Sequence, residues 1–190
     1  MATFDKAIPF ILKHEGGWVN NPNDPGGATN YGVSLRFLVD HPEVGDFDGD
    51  GDVDAEDIKN MTIDDAKKVY QTFWWDKFHY GNIDDQTVAT KIFDMSVNMG
   101  AKRAHIITQT ALNKAFSLRL TVDGVLGPAS IHTLNACTDD TEQLLLNNIC
   151  DEQYGFYQRL IANNPKLAVF ARGWKNRAYE LDIANELDGA

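Results

Sequence analysis

The amino-acid sequence predicts a mostly α-helical protein with a small irregular or β-hairpin lobe near residues 18–60. Apolar residues recur at helical spacing along most of the chain, and strands do not alternate with helices as they do in a nucleotide-binding α/β sheet. The 190 residues, 43 % of them hydrophobic, are enough to build a buried core. We therefore expect one folded domain over residues 1–190.

The predicted elements begin with a helix from Thr3 to the glycines at 16–17. Its apolar residues lie at helical spacing, although Pro9 falls inside it and weakens the pattern. Residues 20–34 are rich in Asn, Pro, Gly and Thr, a composition typical of a loop or short hairpin. The irregular lobe is therefore expected to follow the first helix directly.

The remainder of the chain predicts helices joined by short turns. Thr62 and Asp65 are spaced like a capping box, which would open a helix that runs through Phe78 with Trp74 on its buried side. Further helices are expected over residues 86–99, 102–117, 128–137, 140–163 and 166–187. Residues 101–190 would thus form a helical lobe.

The net charge of −11, from 28 acidic and 17 basic residues, disfavours a general nucleic-acid binder. No apolar run is long enough to cross a bilayer, so we expect no stable membrane insertion. Residues 1–13 lack the basic front and long apolar centre of a secretory signal, so the protein is expected to be made in the bacterial cytoplasm without a signal peptide. Without export, Cys137 and Cys150 are expected to remain buried thiols.

Most of the net negative charge lies in one acidic loop, residues 46–57. It fits the twelve-residue EF-hand pattern, with Gly51 at the sharp turn and acidic residues at the ligand positions: Asp46, Asp48, Asp50, Asp52, Asp54 and Asp57. Asp in place of Glu at the last position resembles dockerin-type calcium loops. Because these like charges would repel one another without a cation, we expect one structural Ca²⁺; the alternative is a solvated acidic surface.

Glu15 is the first candidate for catalysis. It stands at the end of the first apolar helix, before two glycines and Trp18. A glutamate held half-desolvated at the lip of a cleft has a raised pKa and remains protonated near neutral pH, as a general acid requires. The alternative is an ordinary helix-terminal glutamate before a glycine stop.

Four segments carry a family resemblance: the run from Glu15 to Ser34, Phe93-Asp94 with Asn98 and Gly100, the stretch from Asp123 to Pro128, and Gly173-Trp174. In these segments the sequence resembles the glycoside hydrolase family 108 muramidases, which occur among phage endolysins and bacterial secretion-activator proteins. The resemblance implies a lysozyme-like α fold that hydrolyses the β-1,4 bond between N-acetylmuramic acid and N-acetylglucosamine. It also implies that Glu15 is the catalytic glutamate.

A looser likeness to the phage-type lysozymes rests on the order Glu15, Asp24, Thr29. It implies that Asp24 and Thr29 hold a water on the far face of the sugar, the second role that glycoside hydrolysis needs. The alternatives are a turn residue at Asp24 and a hairpin hydroxyl at Thr29.

Three further residues are candidates for binding the sugar. Trp18 and Tyr31, near Glu15 in the chain, would stack on sugar rings. Asn98 would hydrogen-bond an N-acetyl group or, alternatively, brace two helices. Asp94 is expected to be structural.

The sequence as a whole thus predicts a monomeric, calcium-stabilised endolysin that acts on peptidoglycan glycan strands. It would reach the periplasm or cell wall through a holin-type or dedicated release system. The helical lobe 101–190, whose stretch 123–128 resembles peptidoglycan-binding modules, would complete its fold. The alternatives are a non-catalytic peptidoglycan-binding or secretion-helper protein, and a lytic transglycosylase or chitinase.

Overall fold

A computed structural model describes residues 1–19, 27–136 and 139–180. The helices in these ranges are α1 (Phe4–His14), α2 (Leu35–Val39), α3 (Ala55–Asn60), α4 (Ile63–Tyr70), α5 (Gln86–Met99), α6 (Ala101–Phe116), α7 (Pro128–Asn135), α8 (Asp139–Asn163) and α9 (Ala171–Tyr179). The strands β1 (Thr29–Asn30) and β2 (Val33–Ser34) pair in an antiparallel hairpin. The prediction of a mostly α fold with a small hairpin lobe is confirmed.

The first helix forms in spite of the proline inside it. Its core-facing residues are all buried: Phe4, Ala7, Ile8, Phe10 and Ile11. Pro9 is exposed, so its ring leaves this apolar face intact. The buried face packs against α5, and the helix ends at His14.

The hairpin lobe is fixed by its turn and by one buried amide. Tyr31 and Gly32 both have positive φ angles, 48° and 78°, as a two-residue hairpin turn requires. The side-chain amide of Asn30 donates hydrogen bonds to the carbonyl oxygens of Ile58 (3.1 Å) and Met61 (3.4 Å). These bonds join the hairpin to the end of α3.

The helix predicted from Thr62 through Phe78 begins as expected but is not one α-helix. Thr62 and Asp65 form the predicted capping box, yet α4 ends at Tyr70 and a π-helical segment, Gln71–Asp76, follows. The wider π turn shifts the buried side along the sequence. Trp75 is therefore buried, whereas Trp74, predicted on the buried side, lies half-buried against Phe37 and Tyr70.

The predicted helices at 86–99, 102–117, 128–137 and 140–163 correspond to α5, α6, α7 and α8. The helix predicted over 166–187 is wrong in its first turns. A 3₁₀ segment, Pro165–Phe170, comes first, with the side chain of Asn164 accepting a hydrogen bond from the backbone N–H of Lys166. The α-helical part is α9, which ends at Tyr179.

The core is built around α5, in which every residue from Thr87 to Ser96 is buried. It packs against α1 and α6, while α8 packs against both α6 and α9. Cys150 is a buried free thiol, as predicted; Cys137 lies outside the described residues. None of the helices that the structure describes is long and apolar enough to span a bilayer.

Candidate active site

Glu15 caps the C-terminal end of α1, where the sequence places it. Its backbone N–H still donates to the carbonyl of Ile11 at 3.1 Å, but its φ and ψ angles, −91° and 117°, are already extended. The side chain is 21 % exposed. Its carboxyl group is therefore partly withdrawn from water but open to a ligand.

A guanidinium group holds one side of this carboxyl. Arg177 on α9 donates from Nη2 to Glu15 Oε1 at 3.1 Å and to Asp94 Oδ1 at 2.8 Å, and from Nε to Asp94 Oδ2 at 3.3 Å. Burial opposes the charge on Arg177, but the carboxylates of Asp94 and Glu15 raise the pKa of its guanidinium. Because guanidinium can only donate, a proton on the Glu15 carboxyl would have to lie on Oε2.

The hairpin turn closes against the other side of the same carboxyl. A Cβ atom added to Gly32 would lie 2.7 Å from Glu15 Oε2 and 2.5 Å from the hydroxyl oxygen of Tyr70. Tyr70 donates its hydroxyl hydrogen to the carbonyl of Tyr31 at 2.9 Å. Burial and the nearby charge of Glu15 raise the pKa of Tyr70, so its hydroxyl stays protonated and fixes the turn.

Two predicted site residues, Tyr31 and Thr29, belong to this hairpin. Tyr31 is in the turn itself, and Thr29 begins β1, where its backbone pairs with Val19 through two hydrogen bonds of 2.8 Å. Trp18 precedes Val19 and is 42 % exposed. Asp24, the predicted second carboxylate, lies outside the described residues.

Asn98 makes the contact expected of a helix brace. Its side-chain oxygen accepts a hydrogen bond from the hydroxyl of Tyr157 on α8 at 2.7 Å. Trp174 of α9 stacks on the ring of Tyr157, with ring centres 4.9 Å apart. Asn98 lies one helical turn after Asp94, so α5, α8 and α9 meet beside the Arg177 ion pair.

The acidic loop gathers its carboxylates into two groups. Within each group the candidate ligand oxygens lie within 4.8 Å of one another; the groups are Asp46, Asp48 and Asp50, and Asp52, Asp54 and Asp57. Gly51 has a φ of 97°, which matches its predicted place at the sharp turn. Both groups could hold a metal ion.

Electrostatics and burial distinguish the members of this loop. The charge of Asp50, above all, raises the pKa of Asp52. Asp57 is only 1 % exposed, and its Oδ1 accepts hydrogen bonds from the backbone N–H groups of Phe47 (2.6 Å) and Asp48 (3.3 Å). Its Oδ2 accepts from the N–H of Asp54 at 2.8 Å. Asp57 therefore folds the loop onto the start of α3 through its own hydrogen bonds.

Two family models together account for most of the chain. The model described as Glycosyl hydrolase 108 matches residues 8–100, which include Glu15, the hairpin and the acidic loop. Over these residues the chain belongs to glycosyl hydrolase family 108. It is a glycoside hydrolase of the lysozyme type. A second model, described as Predicted Peptidoglycan domain, matches residues 103–179, so this glycoside hydrolase acts on peptidoglycan.

The fold of this family 108 chain is similar to a solved structure. The structure of SagA from Brucella abortus has a TM-score of 0.70 to it at 24 % sequence identity, covering 97 % of this chain and 92 % of that one. The two proteins therefore share a fold. No curated protein matches the chain.

Arg177 is a site residue of this family 108 hydrolase that its sequence did not predict. It lies 162 positions from Glu15, within the residues matched by the peptidoglycan model. A signal was present in α5, where Lys91 and Asp94 interrupt an apolar stretch. Buried charges need partners, so this pattern indicates that a partner exists without saying which residue it is.

Proposed function

We propose that this glycoside hydrolase is a muramidase that cleaves the β-1,4 bond between N-acetylmuramic acid and N-acetylglucosamine, with Glu15 as the general acid. The observation that carries the proposal is the setting of Glu15. One carboxyl oxygen accepts a hydrogen bond from Arg177, the other lies beside the Gly32 turn, and the side chain as a whole is 21 % exposed.

The chemistry follows from the two oxygens of Glu15. Cleavage of a glycosidic bond requires a proton for the leaving oxygen and an attack on the anomeric carbon by a carboxylate or a water. Because Oε1 is occupied by Arg177, the transferred proton leaves from Oε2 as the carbon–oxygen bond breaks. The Glu15 side chain is then a carboxylate, and the guanidinium of Arg177 stabilises its negative charge.

The attacking group is assigned to the hairpin lobe. We propose that Asp24 and Thr29 position a water on the opposite face of the sugar, an arrangement that needs carboxyl groups about 6.5–9.5 Å apart. The support from the structure is that Thr29 is in the same hairpin as Gly32, which packs on Glu15. Trp18, which precedes the residue paired with Thr29, and Tyr31, in the hairpin turn, are proposed to stack on sugar rings.

Replacement of Glu15 by Gln tests the assignment. The amide cannot donate a carboxylic proton, so we expect the release of reducing ends from peptidoglycan to fall by about 10²–10⁴-fold. A matched control is Glu43→Gln, since the Glu43 side chain is 62 % exposed and lies outside the site. Activity of Glu15→Gln within about tenfold of the parent would remove Glu15 from this role.

Mass spectrometry of the digested peptidoglycan identifies the reaction. Muramic acid at the new reducing ends means hydrolysis by a muramidase. Products that end in 1,6-anhydromuramic acid would instead identify a lytic transglycosylase, and N-acetylglucosamine at the reducing ends would mean cleavage of the other glycosidic bond. The absence of any product from an otherwise folded protein would favour a non-catalytic binding role.

We also propose that the acidic loop holds one structural Ca²⁺ ion. Carboxylates at EF-hand spacing would supply oxygen ligands to it, with Asp52 contributing its backbone carbonyl: Asp46, Asp48, Asp50, Asp52, Asp54 and Asp57. The mutual repulsion that raises the pKa of Asp52 is the cost that a divalent cation would offset. Since Asp54 and Asp57 also form the capping box of α3, the ion would stabilise the start of that helix.

A further inference from the structure

The centre of α5 carries two opposite charges that are completely buried. Lys91 and Asp94, one helical turn apart, both have zero exposure. Lys91 Nζ donates hydrogen bonds to the backbone carbonyls of Arg177 (2.9 Å) and Ala178 (2.8 Å). Both charges of α5 therefore bind the last turn of α9, one through its backbone and the other through the guanidinium.

The residue that follows α9 is tied to the end of α1. Glu180 Oε2 lies 3.0 Å from His14 Nε2, and Glu180 Oε1 lies 3.4 Å from Lys13 Nζ. Lys13 and His14 directly precede Glu15. The end of α9 is thus bound both to α5 and to the end of α1, next to the candidate acid.

We infer that Arg177, held by Asp94, is a positioning residue for the reaction, so that α9 of the peptidoglycan region is part of the catalytic site. The inference rests on the proposed role of Glu15. Asp94 binds Nε and Nη2 of the guanidinium together, which fixes the plane of the group. The second bond from Nη2 then sets the position of Glu15 Oε1 and, through the planar carboxyl group, the direction of Oε2.

The geometry separates this role from that of an ordinary buried ion pair. Asp94 accepts hydrogen bonds from two nitrogens of Arg177, so the guanidinium keeps a carboxylate partner when the bond to Glu15 is absent. Lysine would supply a positive charge but not a planar fork with two fixed donors. If Arg177 positions Glu15, kcat should therefore depend on the planar guanidinium and not only on a positive charge.

The test compares the variants Arg177→Met and Arg177→Lys in the full chain. We expect Arg177→Met to lower kcat on peptidoglycan by about a hundredfold with little change in KM, because a misplaced acid slows the chemical step. Arg177→Lys should recover part of that loss, to about tenfold below the parent. The matched control is Arg119→Met, which removes an exposed arginine outside α9 and should retain the parental kcat.

A double variant separates positioning from stability. Arg177→Met leaves Asp94 buried without its partner and is expected to lower the melting temperature. Arg177→Met combined with Asp94→Leu removes both charges, so it should regain much of the lost melting temperature while kcat stays low. Recovery of kcat together with stability would overturn the inference, since it would show that Arg177 serves the fold alone.

The same measurements distinguish this inference from the proposed function. An active parent, an inactive Glu15→Gln and an Arg177→Met protein with the parental kcat would overturn the role of Arg177 and leave the acid in place. A Glu15→Gln protein as active as the parent would defeat the proposed acid and the positioning role with it.

Discussion

At Gly32 the backbone of the hairpin turn lies directly against the candidate acid. Its φ of 78° is unfavourable for a side chain, and the space where a Cβ would lie is taken by Glu15 and Tyr70. The turn therefore approaches the candidate acid more closely than any other residue type would allow. The site therefore requires glycine at position 32, because any side chain there would collide with Glu15 and Tyr70.

We expect Gly32→Ala to displace the Glu15 side chain and to lower kcat by about a hundredfold. Stability should also fall, since a left-handed backbone costs a residue with a Cβ about 1–2 kcal/mol. Gly16→Ala is the control, because a Cβ at Gly16 meets nothing within 4 Å. Steady-state kinetics and thermal melting of both variants measure the two effects. Parental kcat in Gly32→Ala would mean that the turn does not hold the carboxyl in place.

At the residue scale, the sequence predicts the candidate acid but not the arginine that binds it. Glu15 stands in a contiguous motif, so its identity and its place at a helix end were both predicted. Arg177 reaches it across 162 positions, and no local spacing says which arginine makes such a contact. Asp94 was expected to be structural, and its burial agrees, but only the folded chain shows that the arginine it binds also binds Glu15.

At the scale of elements, local rules predicted where helices begin better than how they continue. The capping box at Thr62 and the proline at Pro128 both mark observed helix starts. The π-helical segment after α4 has no local signal of this kind, because it depends on packing of its aromatic side chains against distant helices. The buried tryptophan is accordingly Trp75, whereas the sequence pattern predicted Trp74.

The acidic loop is the element at which the proposed Ca²⁺ ion can be tested. If Ca²⁺ binds only the folded loop, a hundredfold excess over its dissociation constant should stabilise the protein by about 2.7 kcal/mol. Scanning calorimetry with calcium and with a chelator measures this shift. Asp48→Ala should abolish it, whereas Asp64→Ala, an exposed acid outside the loop, should not. Identical melting curves in calcium and chelator would leave the loop as a solvated acidic surface.

The stabilisation of the protein by calcium should depend on pH in a direction that the carboxyl pKa shifts determine. Asp48 and Asp52 have raised pKa values in the folded chain, Asp48 through desolvation and neighbouring charges and Asp52 chiefly through the charge of Asp50. Carboxyls with a raised folded pKa contribute stability at low pH and lose it as the pH rises through that value. The stabilisation by calcium should therefore grow as the pH rises above about 4, the ordinary pKa of an aspartate.

At the scale of the whole molecule, the two ends of the described chain meet around α5. The backbone N–H of Ala2 donates to the carbonyl of Ile83 at 2.7 Å, and α9 binds α5 and the end of α1. Sequence patterns predicted most of the helices but not this arrangement, because the contacts that create it join residues far apart in the chain. Long-range closure of this kind is slow compared with helix formation.

Refolding should therefore show two stages. After dilution from denaturant, we expect far-UV circular dichroism to recover before lytic activity, because helices form locally whereas the Glu15–Arg177 contact needs the complete fold. Parallel samples withdrawn during refolding and assayed on peptidoglycan give the second rate. Equal rates by both probes would show that the site closes in the same step that forms the helices.

The contact between the first and last described helices also limits which regions of this protein can be replaced by recombination. Recombination that replaced residues 103–179 with a different wall-binding module would remove Arg177 and leave Lys91 and Asp94 without the groups they bind. The boundary between the two family matches, near residue 101, thus divides the sequence but not the contacts around Glu15. Exchange of the whole region would therefore disturb the surroundings of Glu15, whereas substitutions on its exposed surface would not.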